Sequence, residues 1–218
     1  MTSDGELRLY AIGIDEVRDL FGADEARREE LRASAIDALG IVPEPRRTRL
    51  WAALFRTDPQ PPPADPDQPT LADVDTMLTG RHVTPDRTVA AWRLAETMIS
   101  ALSWDRLRQQ ATFELIDATD FALACAGMPA ALGIRMLIET SPMLPLPPLA
   151  GVRLGYLRGH VARTMGEELA AHAEGVSAPE QRALAHGLAE WLLRYPVWAQ
   201  QARGAGRPAP DLLTFCFH

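Results

Sequence analysis

Neither lysine nor asparagine occurs anywhere in the 218 residues, so all 22 basic side chains are arginine. The first absence excludes a Schiff base, an amine nucleophile and a phosphate-loop lysine. The second excludes an asparagine donor to an oxyanion. A composition rich in Arg, Ala, Pro and Gly and free of Lys and Asn points to a high-GC genome. Cysteine is scarce: Cys125 and Cys216 stand far apart, without Cys-x-x-Cys spacing. That predicts two small buried side chains and no metal or redox pair. No apolar run approaches the roughly 18 residues of a spanning helix. Met1 to Glu6 lacks a basic stretch ahead of an apolar one, so no leader is expected and the expected location is the cytoplasm.

What is present suffices for a folded domain. Apolar residues make up 47% and charged residues 23% of the chain, enough to fill a core. The net charge of -7 repels phosphate, so no nucleic-acid partner is expected, and it favours a basic partner. No membrane association is expected, and the oligomeric state is left open.

Hydrophobic period divides the chain into elements. Leu7 to Ile12 alternates and then turns apolar, which predicts a strand. A short helix follows, with Val17, Leu20 and Phe21 on one side. A second, Asp24 to Leu39, repeats Leu31, Ala35 and Leu39, and Gly40 suits a left-handed cap. Pro45 starts a third, with Leu50, Trp51, Leu54 and Phe55 as its stripe. Between Asp58 and Pro69, six of twelve residues are proline, which predicts a solvated loop over 57–70. Thr70 and Asp73 form a capping box. Thr84-Pro85-Asp86 begins the next helix, and one helical stretch is expected from Trp104 to Ala126, then a shorter one to Glu139. Ser141 to Pro148 holds too many prolines for helix or central strand. Val152 to Leu157 reads as a strand. Helices over 159–173, 179–194 and 197–203 lead to a last strand, Asp211 to Phe217. The expected fold is a single α+β domain over 1–218, helix-rich, with a small sheet in which the N- and C-terminal strands are neighbours.

Three stretches carry a resemblance. They are Leu9-Tyr10-Ala11-Ile12 with Asp15-Glu16-Val17, Leu144-Pro145-Leu146-Pro147-Pro148 leading to Leu154-Gly155-Tyr156-Leu157, and Asp211-Leu212-Leu213-Thr214-Phe215. Together they resemble an uncharacterised domain family of high-GC bacteria. A fainter similarity to YfbM-like proteins lies in Met77-Leu78-Thr79-Gly80 and at Tyr156-Leu157. The resemblance implies an α+β fold and carries over no catalytic residue.

Reactive side chains do not form a recognised motif. Glu168 with His172, and His186 with Glu190, sit four apart on two helices joined near Gly175. His186 points away from the Leu184–Leu188 stripe, so exposed helix-pair electrostatics is expected there. No His-Glu-x-x-His and no Gly-x-Ser-x-Gly occurs. Gly204-Ala205-Gly206 precedes Arg207-Pro208 and reads as a linker. Asp120, with Asp117 three before it, falls among Phe113, Ile116 and Leu123. It is expected either in a near-core ion pair with Arg93, Arg135 or Arg153, or as a carboxyl with a raised pKa in a pocket. Arg153 and Arg158 flank Leu154–Leu157, and Tyr10 and Tyr156 share its sheet, which suggests a cleft for a small anion. The binding candidates are Asp120, Arg153, Tyr156 and Tyr10. No catalytic residue, metal or cofactor is expected. The expected function is that of a non-enzymatic cytoplasmic protein acting through a protein partner, as in immunity-type neutralisation of a basic effector. The alternative is an enzyme or small-ligand binder with a pocket near residues 120–158.

Overall fold

A computed structural model of the protein describes residues 5–40 and 65–218. The helix expected from Pro45 and the 57–64 part of the proline-rich loop lie outside the described residues. The chain divides into two compact units, Met1–Arg18 with Leu102–His218, and Asp19–Ala101.

The first unit is built on a four-stranded antiparallel sheet of order β2-β1-β4-β3. β1 (Glu6–Ile12) and β4 (Asp211–Phe217) form its centre, β2 (Asp105–Gln110) and β3 (Val152–Leu157) its edges. The terminal strands pair from Glu6 opposite Phe217 to Ile12 opposite Asp211, so the expected α+β fold and the neighbouring ends are both observed. Position follows from pattern. β4 is apolar on both faces and needs neighbours on both sides, whereas β2 alternates half-buried and exposed residues, as an edge tolerates.

One face of the sheet carries Leu7, Leu9, Ala11, Leu212 and Cys216. These join a core with α5 (Phe113–Cys125), α7 (Gly159–His172), α8 (Pro179–Leu192) and α9 (Tyr195–Gly204). Trp198 and Trp191 pack in it with ring centroids 4.6 Å apart. α7 and α8 approach closely because Gly166 has no side chain: a Cβ there would lie 2.7 Å from that of Leu192. The other face holds Tyr10, Ile12, Leu213 and Phe215, all buried. α1 (Ile14–Asp19) follows β1 directly.

The expected helix from Trp104 to Ala126 is corrected to β2 followed by α5. Asp105–Gln110 turns only Leu107 toward the core among apolar residues, so its period of two is nearly silent. α5 then starts at its own cap, where the Thr112 hydroxyl accepts from Leu115 N at 3.2 Å. α6 (Met136–Glu139), preceded by a 3-10 turn at Ala130–Leu132, replaces the separate short helix expected over 130–139.

The second unit contains α2 (Glu25–Leu39), α3 (Leu71–Leu78) and α4 (Thr88–Leu102). Asp24 caps α2, and Gly40 closes it at φ 61°, the left-handed region a Cβ disfavours. Thr70 and Asp73 form the expected capping box. Thr84 makes no side-chain cap, and α4 begins instead through a 3-10 turn, Pro85–Arg87. The described end of the proline-rich stretch is held by arginines. Arg87 donates to the carbonyls of Pro66 and Gln68 and Arg93 to that of Asp67. Among the described residues, no helix is long and apolar enough to cross a membrane.

Candidate functional site

α5 buries Ile116, Thr119 and Leu123. At 3.6 residues per turn, Asp117, Phe121 and Ala124 then share an outward stripe. Gly127, at φ 101°, ends the helix and lets the chain double back through the 3-10 turn to α6. The fold-back brings the start of α6 onto the Asp120 carboxylate, which accepts from Ile134 N at 2.5 Å and from Arg135 N at 2.9 Å. The carboxylate thus supplies the cap that α6 lacks at Arg135. The approach requires Gly133, since a Cβ there would stand 2.8 Å from Asp120 Oδ2.

Between α5 and α6 lies a half-open cleft of about 380 Å³. Its polar lining is Asp117, Asp120, Glu139 and Arg135, and its apolar lining includes Phe121, Met128 and Met136. Arg135 reaches Asp117 at 3.3 Å and Glu139 at 3.0 Å. Three carboxylates against one guanidinium leave the cleft acidic. Burial raises the Asp120 carboxyl above its ordinary 3.8, and the two backbone N–H groups and the Arg135 charge only partly oppose it. Phe121 is 73% exposed at the rim.

The four candidate residues do not converge. Asp120 lines the cleft, but its hydrogen bonds go to backbone, and of the three arginines expected as alternative partners Arg135 goes to Asp117 and Glu139, Arg93 to Asp67 O and Arg153 to the Phe113 ring. Tyr10 and Tyr156 do share one sheet face, in one row on either side of Leu213. Tyr10 is 1% exposed, edge to face with Phe215. Arg153 belongs to the opposite face, with its guanidinium 4.6 Å above the Phe113 ring. Arg153 and the tyrosines therefore cannot line one hollow.

The residue that organises Tyr156 is Asp211. One oxygen accepts from the Tyr156 hydroxyl at 3.1 Å and from Ile14 N at 3.4 Å, and the other accepts from Gly159 N at 3.0 Å. One carboxylate thus serves the starts of α1 and α7. Burial, and then the Asp211 charge, raise the phenols of Tyr156 and Tyr195 above 10.0. In the sequence Asp211 is only an acid at the head of a strand, with no local signal of this role.

A family profile described as a domain of unknown function, DUF7691, matches residues 4–217. The chain belongs to the DUF7691 family. No curated protein and no solved structure matches it. The match runs through both units, so the DUF7691 domain comprises the sheet unit and the 19–101 unit together.

Two histidines of this DUF7691 chain, His172 and His186, make polar contacts at the surface. His172 meets Ala126 O through Nδ1 at 3.0 Å and Glu168 through Nε2 at 3.3 Å, partly exposed on α7. His186 pairs with Glu174 at 3.1 Å and not with Glu190. Among the described residues, no group of three or more His, Cys, Asp or Glu side chains could hold a metal ion. Cys216 is buried as expected, and burial pushes its thiol up. Cys125 is exposed, contrary to expectation, because it lies one helical turn beyond Phe121 on the outward side of α5.

Proposed function

We propose that the protein works by binding a basic segment of a protein partner in the α5–α6 cleft. The supporting observation is the cleft's composition: three carboxylates and one arginine around apolar side chains, with Phe121 at the rim. A basic side chain with an apolar stem fits such a lining, since the stem covers Met128 and Met136 while the charge meets acid. The net charge of -7 adds long-range attraction for the same partner. Catalysis draws no support from this place. A general base needs a free carboxylate beside the substrate, and Asp120 is committed to two backbone N–H groups. A cytoplasmic protein that neutralises a basic effector is the biological role we favour.

The test is a titration of the labelled full chain with a short arginine-rich peptide, read by NMR. Salt-sensitive shifts at Asp117, Phe121 and Glu139, lost in the double variant Asp117→Asn with Glu139→Gln, are expected. Shifts that ignore salt, or that spare the cleft, would refute the reading. A second reading rests on the cleft's volume, which falls within the roughly 300–1,000 Å³ of small-molecule sites. Under that reading a small free amine or guanidine binds as tightly as the peptide.

A further inference from the structure

The geometry points to arginine, in preference to lysine, as the partner side chain that the cleft takes; this rests on the basic-partner reading above. The first unit shows how it holds guanidinium groups. Arg8 lies with its guanidinium carbon 4.2 Å over the Phe217 ring while its Nε donates to Glu6 at 2.8 Å. Arg207 lies 4.2 Å over Trp104 while its Nε donates to Glu16 at 2.6 Å. In both, a planar cation covers an aromatic face and turns its edge to a carboxylate.

Asp117 and Phe121 reproduce the receiving half of that arrangement. They are four residues apart on α5, so the carboxylate and the ring share one face at adjacent turns. Among the described residues, no guanidinium lies over the Phe121 ring. Arg135 approaches Asp117 from α6 and is itself drawn toward Glu139. A guanidinium entering from solvent can stack on Phe121 and donate edge-on to Asp117. An ammonium is more strongly hydrated and offers no plane to stack, so it gains the charge term without the ring term.

The experiment uses the isotopically labelled full chain and three glycine–serine pentapeptides that differ only at the centre: arginine, lysine or citrulline. The arginine peptide is expected to bind about twofold to fivefold more tightly than the lysine peptide, the worth of an exposed cation–π contact. Citrulline, isosteric but neutral, is expected not to bind. Phe121→Ala, at an exposed position, is expected to erase the arginine preference and leave the sheet signals in place. Equal binding of the lysine and arginine peptides, with Phe121→Ala inert, would overturn the inference while the basic-partner reading stands. If neither basic peptide shifts the cleft signals, both fall.

Discussion

Two acids at helix starts, one in each unit, meet different fates. In the second unit Asp73 sits in the first turn of α3. It accepts from Thr70 N at 2.8 Å and receives Arg87 through Nε at 3.0 Å and Nη2 at 2.6 Å. Arg87 also donates to the carbonyls of Pro66 and Gln68. The hollow beside them is only about 80 Å³. In the first unit Asp120 has backbone donors in place of a guanidinium, and the cleft beside it stays acidic and nearly five times larger, at about 380 Å³. A carboxylate answered by a forked cation closes its surroundings, whereas beside Asp120 the nearest guanidinium, Arg135, is shared by Asp117 and Glu139 and the cleft stays open.

The strongest way to break this contrast is at Gly155. A Cβ there would lie 1.7 Å from the carbonyl oxygen of Leu137, so α6 must leave β3 or the strand must bend. Gly155→Val is expected to destabilise the protein by about 3 kcal/mol in chemical denaturation and to scatter the cleft signals. Arg87→Ala leaves Asp73 with 12% of its side chain exposed and no guanidinium; a loss of about 2 kcal/mol by the same measurement is expected. Asp120→Ala removes the outside cap of α6. About 1 kcal/mol of stability should go, and hydrogen exchange at Ile134 and Arg135 should rise.

Protonation sharpens the contrast in sign. Burial works to raise Asp73, but hydrogen bonds from Arg87 and Thr70 and the Arg87 charge win, so its carboxyl lies below 3.8. Its stabilisation is full above pH 3.8 and disappears as pH falls through the folded pKa. For Asp120 the folded pKa lies above 3.8. Its term is full below pH 3.8 and fades as pH rises through the folded value. Carboxyl-carbon NMR should place the two midpoints on opposite sides of 3.8, and midpoints on the same side would dissolve the distinction. The smallest effect is Phe121→Ala, expected to change stability by no more than about 0.5 kcal/mol by thermal denaturation, since that ring packs outward.

Much of the fold is legible in the sequence. β1, β3 and β4 announce themselves through apolar runs between turn residues, and the caps at Gly40 and Thr70 lie within one helical turn of what they cap. β2 was not legible, because its inward positions beside Leu107 are Asp105 and Gln109. Asp105 is answered by Arg194 at 2.8 Å, a partner far along the chain. The site was half legible. Asp120 stood out as an acid on an apolar face, yet its donors come from residues 134 and 135, which no helical spacing connects to it. Gly155 read as part of a strand, and the demand for glycine there comes from α6 lying against it.

The two strands at the centre of the sheet are separated by nearly the whole chain, with Leu7 opposite Cys216. Joining such distant segments costs loop entropy on the order of 5 kcal/mol, before the middle of the sheet yields any return. During synthesis β1 therefore leaves the ribosome with both flanks bare; β2 can cover one, and the other waits through the translation of all the described helices before β4 arrives.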